Sequence, residues 1–84
     1  MYVEAIHRIS DPEKFFAVAQ ETMGSLPEGV TVQQMFPSVD GANAVCLWQA
    51  PSVDAVREIV DGASAGIAVN DFFEISADQA VGLK

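Results

Sequence analysis

Apolar and polar residues alternate through the first nine positions, with Val3, Ala5, His7 and Ile9 on one side and Tyr2, Glu4, Ile6 and Arg8 on the other. A period of two is the mark of a strand. Ser10-Asp11-Pro12-Glu13 follows. It reads either as a capping box from Ser10 to Glu13 or as an Asp11 cap with Pro12 at the first helical position. Phe15, Phe16, Ala19, Met23 and Leu26 then recur at helical spacing, and Gly24, Ser25 and Pro27 stop the helix. A second strand is expected over 30–36, limited by Pro37, with an Asp40-Gly41 turn and a third strand over 43–49. Ser52 is placed to cap a second helix whose stripe is Val53, Val56, Val60 and Ala63, with Asp54 suited to its positive end. A last strand is expected over 71–76, and residues 77–84 carry no clear pattern.

The order β-α-β-β-α-β is the split βαβ arrangement: an α+β, ferredoxin-like domain with an antiparallel four-stranded sheet. Two right-handed crossovers put both helices on one face and leave the other bare. Side-chain parity then sorts the residues. Val45, Leu47, Phe73 and Ile75 suit packing under the helices together with Val3 and Ala5. The bare face is expected to hold Tyr2, Glu4, Ile6, Cys46, Trp48, Phe72 and Glu74, with Val32, Gln34 and Phe36 from the second strand. Four aromatic rings on one open face favour a second copy docking sheet to sheet about a twofold axis. Glu4, Gln34, Cys46, Trp48 and Glu74 would then line a partly closed space with the makeup of a small-ligand pocket.

The chain has 84 residues, half of them apolar, and a net charge of −8 from 12 acidic and 4 basic side chains. That is one domain, too apolar for disorder. The acidic balance argues against nucleic acid and anionic membrane surfaces as partners, since both need clustered Lys and Arg. No apolar run reaches the length of a membrane span, and no signal peptide is read at the N-terminus. A single Cys makes no intrachain disulfide, and a reducing cytoplasm is the expected setting.

Nucleotide-loop, CxxC and HExxH motifs are absent. His7 is expected off the candidate face, where a lone histidine is more often a packing residue. Cys46 reads as a small apolar residue, or else as a soft metal ligand or a thiol facing a ligand. Glu4 and Glu74 are expected on neighbouring strands. They could be solvated rim residues, or a close pair with a raised pKa serving as proton acceptor or donor. Gln34 can only orient a ligand.

The run Cys46-Leu47-Trp48-Gln49-Ala50-Pro51-Ser52-Val53-Asp54-Ala55-Val56-Arg57 resembles a stretch of a family of small ferredoxin-like proteins of unknown function that includes a nickel-binding member. Val3-Glu4, Gly29-Val30-Thr31 and Glu74-Ile75 extend the resemblance over most of the chain. It implies a dimeric α+β barrel of two facing sheets, with a small ligand or metal near the dimer centre. Gln34 stands where that family usually has a second-strand histidine, which removes a strong nickel ligand. Cys46 and Glu4 are left as the candidate metal ligands, with a divalent metal such as nickel the lesser option. The expected function is therefore a small homodimer holding a small molecule, or a divalent metal, at its sheet face. One alternative is a cofactor-free barrel enzyme of the monooxygenase or isomerase kind, with Glu4 or Glu74 as base. Another is a pure assembly module.

Overall fold

The computed structural model describes residues 1–83, and Lys84 of the C-terminal tail lies outside the described residues. The elements are β1 (Tyr2–Ile9), α1 (Pro12–Met23), β2 (Thr31–Pro37), β3 (Asn43–Gln49), α2 (Val53–Ala63) and β4 (Ala68–Glu74). They form one antiparallel sheet in the order β2-β3-β1-β4. This is the ferredoxin-like α+β fold, with both helices against one sheet face.

Local chemistry explains most boundaries. Asp11 caps α1, its side chain accepting from the Lys14 N–H, and Pro12 follows at the first helical position. The Ser10 hydroxyl instead donates to the Ile67 carbonyl, so the capping box is not used. Ser52 caps α2 by accepting from the Ala55 N–H. The β2–β3 connection is held by Asp40, whose carboxylate accepts from the Ala42 N–H and the Ser38 hydroxyl. Gly41 is required there. Its φ is +76°, and a Cβ would lie 3.1 Å from Pro12 Cβ. The fourth strand lies three residues earlier than the 71–76 start expected, because Ala68 to Glu74 pair with Ile9 to Val3.

The register corrects the expected sorting of faces. Val3 lies opposite Trp48, Ala5 opposite Cys46 and His7 opposite Ala44. Directly opposed residues of an antiparallel pair share a face, so Cys46 and Trp48 join Val3 and Ala5 beneath the helices. Val45 and Leu47 are on the bare side. On β4, Phe72 and Glu74 oppose Ala5 and Val3 and take the helix side, while Phe73 is on the bare side. A bulge at Gln33 puts Val32 with Trp48 on the inner face, and Gln34 and Phe36 with Leu47 and Val45 on the outer.

Volume accounts for this choice. The inner face carries Ala5, Ala44 and Ala50, which leave room for the bulk of Trp48, Phe15 and His7. Val3, Ala5, Val30, Cys46, Trp48, Ala50, Val56 and Val60 form the main cluster, and Ile9, Phe15 and Ala44 a second one. Arg57 of α2 covers the Phe72 ring at 5.4 Å.

The face assignment predicts opposite outcomes at adjacent positions. Ala5→Asp buries an unpaired charge and costs about 3–5 kcal/mol, a large part of the roughly 4–13 kcal/mol available to a domain of this size. Ile6→Asp projects from the open face and leaves a cooperative urea transition in place. Circular dichroism of both variants checks this, and equal loss of structure in the two would contradict the register.

Candidate functional site

The inner face of the sheet carries one polar assembly. His7 on the central strand β1 is 2% exposed. Its Nδ1 lies 2.7 Å from the Asn70 Oδ1 on β4, and its Nε2 lies 3.3 Å from the Cys46 Sγ on β3. Phe15 of α1 packs on the ring with centroids 5.1 Å apart.

The direction of each hydrogen bond follows from the end anchored on α2. Ser64, just past that helix, donates its hydroxyl to the Val60 carbonyl at 2.7 Å. Its oxygen therefore accepts from the Asn70 Nδ2 at 2.9 Å. The same Nδ2 donates to the Asp61 carboxylate, also at 2.9 Å. Both amide hydrogens are then used, and the Asn70 Oδ1 must face His7 as an acceptor. His7 accordingly carries its proton on Nδ1, and Nε2 presents a lone pair to which the Cys46 thiol donates.

Electrostatics keep this pair neutral. Burial holds the His7 imidazole below its ordinary 6.5, against the raising effects of the Asn70 hydrogen bond and the Asp61 charge. Burial pushes the Cys46 thiol from 9.0 up to about 12, with the nearby Glu4 charge adding to the shift.

A cavity of about 40 Å³ adjoins the pair. His7, Cys46, Trp48, Met35 and Val60 line it from one side, and α1 contributes Phe15, Ala19, Thr22 and Met23. Met23 is 42% exposed, which places that end of the lining at the surface. Trp48 also lines this cavity, and its Nε1 is buried with no hydrogen-bond partner among the described residues. A buried indole N–H normally finds an acceptor.

The residues expected to share one chamber are divided between spaces. Cys46 and Trp48 are inside, at the cavity just described. Glu4 and Gln34 are on the open face, where with Leu47, Ile75 and residues Ala80, Val81, Gly82 and Leu83 of the tail they line a separate, open cavity of about 190 Å³. Burial raises the Glu4 pKa there. Glu74 is exposed at the end of β4 on the other side of the sheet. The two carboxylates therefore form no pair. His7, expected off the site, is at its centre. Asn70, Ser64 and Asp61 were not read from the sequence as site residues. The available signal was His7 itself, a polar side chain in an otherwise apolar alternating series, which must find buried partners.

The metal set implied by the resemblance does not fit. Cys46 and Glu4 occupy opposite faces of the sheet. Among the described residues no three His, Cys, Asp or Glu side chains converge as a metal would require. Gln34 stays on the open face and adds no soft donor.

Comparison with known proteins finds no matching family model, no matching curated protein and no matching solved structure. Among the described residues no helix is long and apolar enough to cross a membrane.

The shifted pair makes stability depend on pH at both ends. His7 binds its proton more weakly when folded, so folding free energy is complete above pH 6.5 and falls by about 1.4 kcal/mol per unit as pH drops below it, until the folded pKa is passed. Cys46 holds its proton more tightly when folded, so stability falls at a similar slope as pH rises from about 9 towards 12. Urea titrations across this range check both limbs. His7→Gln flattens the acid limb and Cys46→Ser the alkaline one.

Proposed function

We propose that this chain is a small homodimeric binding protein that holds a compact, neutral molecule in the cavity beneath its helices. One observation carries the reading: Trp48, whose buried indole N–H has no acceptor among the described residues, lines a cavity that His7 and Cys46 also line. An unsatisfied buried donor costs about 1–3 kcal/mol. A ligand bearing a carbonyl, ether or hydroxyl oxygen recovers that cost by accepting from Nε1, and the apolar walls from Phe15, Ala19, Met35 and Val60 receive its carbon atoms. A water needs roughly 10–15 Å³ of such space, so the cavity of about 40 Å³ accepts about three non-hydrogen atoms. Charged groups are disfavoured because the walls offer no counter-charge.

The second copy belongs on the open face. Ile6, Phe36, Val45, Leu47, Val69 and Phe73 lie there, with Phe36, Val69 and Phe73 at 60%, 62% and 46% exposure. Of the 12 acidic residues the open face of the four strands carries Glu4 and Asp71, and Asp71 is paired with Arg8 at 3.1 Å. So acidic a chain leaving this face nearly neutral supports self-association. The resemblance to small ferredoxin-like dimers points the same way.

Two measurements test these parts separately. In thermal shift with small neutral amides, ketones and alcohols, at least one probe raises the wild-type melting temperature. Trp48→Phe, which keeps the ring and removes the donor, weakens that probe by about tenfold, roughly 1.4 kcal/mol. Ordered water alone in the cavity would give no shift with any probe and would overturn the ligand reading. In light scattering the wild type has twice the 8.9 kDa chain mass. Phe36→Asp with Phe73→Asp gives the single-chain mass, and added salt tightens the wild-type dimer by screening the −8 charge on each copy. A wild-type monomer at high micromolar concentration would contradict the assembly.

A further inference from the structure

We propose that Cys46 is a nucleophilic thiol with His7 as its general base, and that its substrate is a small uncharged hydroperoxide. The proposal rests on the cavity being a ligand site, and adds the chemistry that occurs there. A buried cysteine that only fills space needs no oriented partner. Here Val60, Ser64, Asp61 and Asn70 fix the tautomer of His7, so that the lone pair of Nε2 meets the sulfur at 3.3 Å. Nucleophile, base and a third group that orients the base form the arrangement used to activate weak nucleophiles. Asn70 acts through His7 and is a positioning residue.

Size and charge select the substrate. The space of about 40 Å³ beside the pair admits about three non-hydrogen atoms, which suits a reacting group as small as a hydroperoxide. A hydroperoxide group has two oxygens and no charge. In the reaction Sγ attacks one peroxide oxygen. An S–O bond forms as the O–O bond breaks, and the sulfur is oxidised by two electrons to a sulfenic acid while the peroxide is reduced. The thiol proton passes to His7 Nε2 and then to the departing oxygen, which leaves as water from hydrogen peroxide and as an alcohol from an organic hydroperoxide. Trp48, two residues from Cys46 on the same face of β3, lines the same cavity.

The charged groups acting on the pair are Asp61 from α2 and Glu4 from the opposite side of the sheet. Asp61 favours the transient imidazolium. The facing residues of α1 that line the cavity, Phe15, Val18, Ala19 and Thr22, are uncharged. A thiol that stays protonated until about pH 12 and reacts only as free thiolate would speed up tenfold per pH unit. A thiol whose proton is taken by neutral His7 during attack reacts at a constant rate from pH 7 to 9.

The test is oxidation of the full chain by hydrogen peroxide, followed by intact mass after trapping the sulfenic acid with dimedone. A rate independent of pH between 7 and 9 is expected. His7→Gln slows it at least tenfold, Asn70→Ala slows it less, and cumene hydroperoxide reacts at least a hundredfold slower than hydrogen peroxide. A tenfold rise per pH unit in the wild type, which requires no variant to fold, would overturn the assignment, as would a folded His7→Gln protein reacting at the wild-type rate. Probe-induced thermal shifts on the same samples separate the two levels. Shifts that persist without pH-independent oxidation leave the binding site standing and remove the thiol chemistry. Absence of both removes the cavity as a ligand site.

Discussion

His7 ties three neighbouring strands together from the inside of the sheet. Its ring reaches Asn70 on β4 and Cys46 on β3 while its backbone sits in β1 between them. A buried imidazole is tolerable only if both nitrogens are satisfied, and here each has one partner. The rest of the inner face is arranged around that requirement. Ala44 lies opposite His7 and leaves the ring its space, Phe15 covers it, and Ser64 and Asp61 at the end of α2 hold the far side of Asn70. Helix placement and polar satisfaction are therefore one constraint. If α2 ended a residue earlier, Asn70 would lose its anchor and His7 its defined tautomer.

The two sheet faces solve different problems. The inner one combines small residues with a few large rings and leaves a small cavity beside the polar pair. The outer one carries medium and large apolar residues, Ile6, Phe36, Val45, Leu47, Val69 and Phe73, with a single ion pair and the Glu4 carboxylate. Part of it is crossed by the tail at Ala80 to Leu83, which share a cavity with Glu4, Gln34 and Leu47. Function divides along the same line, with ligand chemistry proposed within and association without.

The element order was legible because its signals are local. Alternation marks β1, Asp11-Pro12 and Ser52 cap the helices, and Asp40-Gly41 makes the turn between β2 and β3. Register between strands distant in sequence is not local, and hydrophobic patterning does not determine it. Val45 and Leu47 look like better core residues than Ala44 and Cys46. The pairing of Val3 with Trp48 was decided instead by how volumes fit across the sheet. That parity error moved Cys46, Trp48 and Phe72 to the wrong face, and it also hid His7, whose partners became visible only once Cys46 and Asn70 were placed beside it. An open apolar face was correctly expected, with Tyr2, Ile6 and Phe36 on it, although Phe73 replaced Phe72.

The oriented chain from Ser64 through Asn70 to His7 and Cys46 is most directly tested by long-range proton–nitrogen NMR of the His7 ring at pH 7. A neutral imidazole with its proton on Nδ1 and a bare Nε2 facing the thiol is the expected result. A proton on Nε2, whether in the other neutral tautomer or in an imidazolium, would leave the Cys46 S–H without its acceptor and would contradict it.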